Sequence, residues 1–212
     1  MKYVAKSLEQ LVDSGAKFGT IYADPPWQYS NKATRSSAAK NYPTLSIHDL
    51  AALPIKELAA DNSHLHLWAT SPLLPDALVV MAAWGFEYKS SFVWIKNRFG
   101  MGNYWRVSHE LMLLGVRGNC KFRSKKLNSW LMADSGEHSA KPEKTRLLIE
   151  RSSPSPRLEL FARQAVDGWT VWGNDIREDL FYGRRDVQQC SDDEQPGSGD
   201  DRKELLFGEA SD

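Results

Sequence analysis

Cysteine is scarce: Cys120 and Cys190 are the only two in 212 residues. That is too few for a disulfide framework or a cysteine-built zinc site, and a reducing, cytoplasmic setting is the expectation. No run of ~18 apolar residues occurs, so no membrane-spanning helix is predicted. The opening Met1-Lys2-Tyr3-Val4-Ala5-Lys6 has no apolar stretch of the secretory kind. The usual nucleotide and hydrolase fingerprints are missing too. Phe99-Gly100-Met101-Gly102 reads as a turn and not as a G-x-G-x-x-G loop, and neither G-x-x-x-x-G-K nor G-x-S-x-G appears. These absences weigh against NAD or FAD enzymes, P-loop NTPases and α/β hydrolases. His64 and His66 share a strand face without a cysteine or carboxylate cluster beside them, so no metal site is expected.

Net charge is also absent, with 27 bases against 27 acids, but the charges are unevenly distributed. Residues 186–212 carry nine acids and two bases, a net of −7, which leaves +7 on residues 1–185. The segment from Asp186 is polar and has few bulky apolar groups, so it is expected to be an acidic, disordered tail on a domain formed by residues 1–185. The split fits a polyanionic partner, or simply a solubilising tail on an ordinary surface. Between Lys96 and Lys126 lie eight bases (Lys96, Arg98, Arg106, Arg117, Lys121, Arg123, Lys125, Lys126) and one acid, Glu110. Tyr104, Trp105 and Phe122 are interleaved with them. Cations for phosphates among aromatics for bases suit a nucleic-acid surface, the alternative being a solvated basic face.

What is present is a composition of 42% apolar and 11% aromatic residues, enough for a globular core. Strand and helix patterns alternate along it. A helix is predicted over 6–14, stopped at Gly15, and a buried strand over 18–23. Further strands are expected at 64–69, 86–95, 107–116, 158–162 and 169–172. Helices are expected at 72–84, with Gly85 beyond its end, and at 141–151. Strands separated by helices predict an α/β fold, a mostly parallel sheet with helices on both faces. Gln28–Thr44 and Leu127–Ala140 read as functional loops. Ligands of such sheets bind beyond the carboxyl ends of the strands, which places Asp24 at the mouth of a site.

Asp24-Pro25-Pro26-Trp27 follows the first buried strand. Two consecutive prolines are rigid and donate no backbone N–H. The motif therefore offers a fixed carboxylate, a carbonyl acceptor and a flat ring. A planar base with an exocyclic amine fits all three. Its nitrogen lone pair is delocalised into the ring and is a poor nucleophile. Accepting one N–H at the Asp24 carboxylate and the other at the Pro25 carbonyl would draw the nitrogen toward tetrahedral geometry. The lone pair would then face an electrophilic methyl group. This is positioning with electrostatic preorganisation. Trp27 is expected to stack on a base that is single-stranded or flipped from a duplex.

With these residues in place, the chain from about Phe18 to Asn174 resembles the MT-A70 family of S-adenosylmethionine-dependent N6-adenine methyltransferases. The resemblance rests on Asp24-Pro25-Pro26-Trp27, then Tyr42 followed by Leu45-Ser46, Leu67-Trp68, Trp94-Ile95-Lys96, and Glu110 before Gly115-Val116-Arg117-Gly118. Ser139-Ala140-Lys141-Pro142, Glu159-Leu160-Phe161-Ala162-Arg163, and Trp169 with Gly173-Asn174 complete it. It implies a Rossmann-like methyltransferase fold with S-adenosyl-L-methionine as cofactor. Asp24, Pro25, Pro26 and Trp27 would be catalytic, and Tyr42, Trp68, Trp94 and Lys96 would border the adenine. Asp24, Lys141, Glu159, Phe161, Arg163 and Asn174 would hold the cofactor. Apart from the resemblance, Lys141 and Glu159 read as surface charges, and Phe161, Trp68 and Trp94 as core aromatics. Two places depart from the messenger-RNA enzymes. Gln164-Ala165 stands where they have His-Asn, and Asp13 is the nearest acid before the first strand. The resemblance to bacterial and phage members favours DNA as substrate. RNA adenine, the N4 amine of DNA cytosine, and a silent nucleic-acid-binding subunit of a heteromeric methylase are the alternatives, and assembly as a homo- or hetero-oligomer is left open.

Overall fold

A computed structural model of the chain describes residues 2–28, 44–100, 104–134, 140–173 and 176. All lie in a compact unit spanning Met1–Glu178. The expected tail from Asp186, with Tyr42 and Asn174, falls outside the described residues.

The elements in chain order are β1 (Tyr3–Val4), α1 (Leu8–Asp13), β2 (Phe18–Ala23), α2 (Ile47–Ala51), α3 (Ile55–Leu58) and β3 (Ala59–Ala69). Next come α4 (Leu74–Ala83), β4 (Glu87–Gly100), β5 (Val107–Arg117), β6 (Trp130–Met132), α5 (Glu143–Ser152), β7 (Arg157–Leu160) and β8 (Thr170–Trp172). The strands form one sheet in the order β1-β8-β7-β2-β3-β5-β4-β6. β2 and β3 pair parallel with Ala23 opposite Leu67, so their carboxyl ends, at Ala23 and Ala69, lie at one edge of the sheet. Among the described strands β5 alone runs against the rest, pairing antiparallel with β3 and β4. Six residues separate β4 from β5, too few for the helical crossover that a parallel neighbour needs. The mostly parallel Rossmann-like sheet thus carries one reversed strand.

The six-residue stretch predicted as β2 is found as such, and it is buried throughout. The expected strand at 64–69 begins earlier, at Ala59, and 86–95 extends to Gly100. β6 arises inside the expected loop 127–140, because Trp130-Leu131-Met132 supplies a strand for the free edge of β4. Ser7 caps α1, its hydroxyl accepting the Gln10 N–H at 3.1 Å. α4 stops where Gly85 takes φ +83°, a conformation glycine adopts without steric cost.

Strand alternation sorts the side chains onto two faces. One face carries Ile21, Ala23, Leu65, Leu67, Leu113, Leu158 and Leu160, packed with residues of α1–α4 into an aliphatic core. The other carries Tyr22, Trp68, Trp94 and Met112, packed with Ile149 of α5. The polar chemistry of the molecule is on this second face. Gly173 follows β8 so closely against Ala162 that a Cβ there would lie 2.2 Å from the Ala162 carbonyl oxygen. No helix among the described residues is long and apolar enough to cross a membrane.

Candidate active site

β2 ends at Ala23, and the chain turns through the Asp-Pro-Pro-Trp box. The Trp27 N–H donates to the Pro25 carbonyl at 2.9 Å and the Leu45 N–H to the Pro26 carbonyl at 2.9 Å. The Trp27 indole N–H donates to the Trp68 carbonyl at 3.0 Å. The box is pinned to its own turn, to the Leu45 segment and to the end of β3. The Asp24 carboxylate, about a third exposed, takes no part in this pinning.

The placement of Trp27 corrects one expectation. Its ring is 8% exposed and belongs to the aliphatic core, so it offers no stacking face to a base. Beyond the end of β2, Trp27 packs its ring with Ile21 and Ala23. Trp68 and Trp94 are also buried, edge-to-face at 6.2 Å. Each indole N–H is used internally, by the Tyr22 hydroxyl at 2.8 Å and the Ala133 carbonyl at 2.9 Å respectively. Trp68 and Trp94 form the floor beneath the site, on the face opposite Trp27. The Pro25 carbonyl keeps one lone pair beyond the bond from Trp27.

Above that floor runs a chain of alternating charges. Lys141 Nζ donates to Asp24 Oδ2 at 2.6 Å and lies 3.3 Å from Glu110 Oε2. Lys96 Nζ donates to Glu110 Oε1 and sits over the Trp94 ring, 4.6 Å from its centroid. Lys141 stands over Trp68 at 5.3 Å. Asp24, Lys141, Glu110 and Lys96 thus form one linked row across three strands and the segment before α5. Burial pushes the Lys141 ammonium toward neutrality, but Asp24 and Glu110 outweigh it and its pKa rises. Burial raises the Glu110 carboxyl, but Lys141 and Lys96 hold it below its ordinary range. Both groups are charged at neutral pH.

Next to this row opens a cavity of about 390 Å³ lined by Tyr22, Asp24, Lys141, Arg146, Glu159, Phe161 and Arg163, among others. The size suits a small-molecule cofactor. Glu159 faces Arg146 through two oxygens, with Nη2 at 2.9 Å from both and Nε at 3.2 Å. Burial, reinforced by the Asp24 charge, raises the Glu159 carboxyl against the pull of Arg146. Burial and the same carboxylates push the Tyr22 hydroxyl up to about 12, so it stays protonated. Phe161 turns off β7 with φ 60°, an unusual conformation for a large side chain that aims the chain into the cavity wall. The lining fits S-adenosylmethionine by chemistry. Arg163 and Lys141 suit a carboxylate, Asp24 an ammonium or sulfonium, Glu159 a ribose diol, and Phe161 an adenine face.

Two members of the site escaped sequence reasoning. Arg146 lies on α5 beside the buried Thr145–Ile149 stripe, and a base there on an amphipathic helix was the available signal. Glu110 was matched to a motif but given no role; it was the single acid among eight bases. The basic stretch itself is not one surface. Lys96, Arg98 and Arg106 belong to the site end of the β4–β5 hairpin, whereas Arg117 ends β5 at the opposite edge, donating to the Lys56 carbonyl at 2.7 Å. Cys120 and Phe122 lie against His64, a buried residue of β3. His64 and His66 share the Ser153 hydroxyl at 2.9 and 2.8 Å, a structural network.

The MT-A70 family model matches residues 18–175. The chain is 32% identical over 182 residues to a type II methyltransferase, M.MunI, of a Mycoplasma species, covering 76% of this chain and 78% of that protein. It is 29% identical over 176 residues to a probable N(6)-adenosine-methyltransferase MT-A70-like of rice, covering 78% of this chain and 24% of that one. It is 27% identical over 190 residues to the mouse N(6)-adenine-specific methyltransferase METTL4, covering 80% and 40%.

Proposed function

The chain belongs to the MT-A70 family, and from that premise we propose that it methylates the exocyclic N6 amine of adenine in nucleic acid, DNA ahead of RNA, with S-adenosylmethionine as donor. The observation that carries this reading is one juxtaposition. Asp24 lines the same cavity as Lys141, the Arg146–Glu159 pair, Phe161 and Arg163, at the carboxyl edge of the sheet. DNA stands ahead of RNA because the chain spans 78% of the type II methyltransferase and 24% of the rice adenosine methyltransferase. A cytoplasmic setting accords with the scarcity of cysteine.

The cofactor supplies an electrophilic methyl group. The protein supplies a fixed frame for the amine. Asp24 and the Pro25 carbonyl accept its two N–H bonds, which frees the lone pair for attack. Asp24 also balances the positive charge that forms on nitrogen before a proton leaves. Lys141, itself held by Glu110, keeps that carboxylate oriented, and Lys96 closes the row at the substrate side. Trp27 anchors the box from the aliphatic face, and Trp68 and Trp94 hold the charge row from below. Tyr42 and Asn174 keep the adenine-side and cofactor-side roles that their motifs imply.

The test is methyl transfer from labelled S-adenosylmethionine to single-stranded DNA, duplex DNA and RNA, with the product nucleoside identified by mass spectrometry. N6-methyladenine in DNA, lost on Asp24→Ala, is the expected result. N4-methylcytosine, or product in RNA alone, would replace the substrate assignment. No product together with no thermal stabilisation by S-adenosylmethionine would identify a silent subunit.

A further inference from the structure

A second cavity, of about 280 Å³, lies against the second half of α5, lined by His66, Phe92, Met112, Leu114, Phe122 and Ile149, among others. It shares no lining residue with the cavity beside Asp24, which the first half of α5 borders. Its volume falls just below the usual range for drug-sized ligands and suits a single planar ring system.

The hydrogen bonds around His66 fix what its ring offers to this cavity. His64 Nε2 lies 3.2 Å from the Cys120 carbonyl, which only accepts, so that nitrogen carries the proton. Burial lowers the His64 pKa, the ring is neutral, and its Nδ1 is an acceptor. The Ser153 hydroxyl therefore donates to His64 Nδ1 at 2.9 Å and accepts the His66 Nε2–H at 2.8 Å. Burial keeps His66 neutral as well, so its Nδ1 has a bare lone pair that meets no described residue. Among the described residues, the polar side-chain atom sealed from solvent without a partner is Arg157 Nε. The His66 lone pair is thus open to the cavity that its ring lines.

An acceptor among apolar walls calls for a flat, largely apolar ligand that brings an N–H or O–H donor. A water molecule would meet the nitrogen and leave the apolar walls uncovered. The rim adds charge. Lys121 and Arg123 flank Phe122, and Lys125 and Lys126 precede Leu127, two residues that line the cavity. All four bases are exposed, and residues 118–129 contain no acid, so the field at the rim favours an anion. We propose that this cavity is a nucleotide site, in which a nucleobase donates its exocyclic amine to His66 Nδ1 and its phosphate meets the Lys121–Lys126 segment. A fatty-acid carboxylate would match walls and rim but brings no donor for His66. A free nucleotide and one nucleotide of a strand offer the same chemistry. The site stands apart from the proposed methylation, and its test needs no turnover.

The experiment is calorimetric titration of the full chain with adenosine 5′-monophosphate, with S-adenosylhomocysteine present at saturation to occupy the cavity beside Asp24. Saturable binding at one site is expected. Leu114→Trp fills the cavity from its wall and should abolish that binding. His66→Phe keeps a ring without the acceptor and should weaken binding by about tenfold. Purine riboside 5′-monophosphate, which lacks the amine, should show the same loss on the unmodified chain, where folding of a variant is not at issue. Lys125→Glu/Lys126→Glu, at exposed positions, should weaken binding by about fivefold, and added salt should reduce that difference. A single-stranded adenine oligodeoxynucleotide that displaces the nucleotide would assign the site to a strand, and one that does not would assign it to the free nucleotide. No binding at millimolar nucleotide, or undiminished binding in Leu114→Trp, would overturn the site. Equal affinity for the analogue without the amine would overturn the contact with His66 and, with it, the assignment to a nucleobase.

Discussion

The two faces of the sheet are built on different principles. The face toward α1–α4 buries Ile21, Leu65, Leu67, Leu113, Leu158 and Leu160, aliphatic residues that have no polar group to satisfy. The face toward α5 buries Tyr22, His66, Glu110 and Glu159 among tryptophans, and each of these polar groups has a partner. The first face contributes stability through apolar burial. On the second, every charge taken from water must be matched by another, which stabilises little and fixes geometry. Two adjacent residues of one strand can therefore have opposite duties: Ile21 holds the fold, and Tyr22 underlies the site.

The largest effect should come from the polar face. Asp24→Ala is expected to lower methyl transfer by about a thousandfold, as for removal of one preorganised transition-state contact. Circular dichroism should show an intact fold, because the box remains anchored through Trp27 and Leu45. A protein that is unfolded, or one still active, would break the division between faces. The converse test is Leu65→Ala on the aliphatic face. It should cost about 2–5 kcal/mol of stability in urea unfolding, and turnover per folded molecule should hold. Turnover falling in proportion to stability loss would show that the faces are coupled.

Smaller effects sharpen the comparison within the polar face. Arg146→Lys keeps the positive charge opposite Glu159 but loses the planar fork that meets both carboxylate oxygens. Cofactor affinity measured by calorimetry should drop by about tenfold, a loss of ~1.4 kcal/mol. Equal affinity would remove the pair from the cofactor wall. The smallest effect concerns His66, whose burial, with the charge of His64, lowers its pKa from the ordinary 6.5 to about 3. The folded protein keeps this ring neutral where the unfolded chain would protonate it. Stability from this source is complete above pH 6.5 and is lost progressively as pH falls toward 3. His64 shifts the same way, and Glu110 adds its loss only below its ordinary 4.5. Between pH 6.5 and 4.5, the unfolding free energy should decline with a slope of at most ~1.4 kcal/mol per pH unit from His66, read by urea unfolding at each pH. His66→Gln should flatten that slope, and an unaltered slope would assign the acid sensitivity elsewhere.

Much of the fold was legible because its signals are local. β2 was readable as a continuous buried run before Asp-Pro-Pro, and α4 ended where Gly85 marked it. β6 was not, since three residues carry too little periodicity, and an unpaired edge on β4 made them a strand. The reversal of β5 followed from the six residues that separate it from β4 and not from any feature of its own pattern. Of the residues expected at the site, Asp24, Lys141, Glu159, Phe161 and Arg163 line one cavity. Trp68 and Trp94, expected at the adenine, lie beneath the charge row, and Trp27 faces the opposite core. Ring chemistry alone suggested a stacking role for Trp27. The hydrogen bond to the Trp68 carbonyl and packing in the aliphatic core decided its orientation.

By itself the sequence determined the family, the carboxylate at the end of the first buried strand and the alternation of strands and helices. Each of these is written in neighbouring residues, as a motif, a period or a proline pair. Only the tertiary structure decided that Lys141 meets Asp24 across 117 residues, that Arg146 is the partner of Glu159, and that the basic stretch divides between opposite edges of the sheet. Those contacts depend on strand order and register, which no local pattern specifies. They form because a charge carried into the interior by one strand is stable only where another element brings its counter-charge within reach.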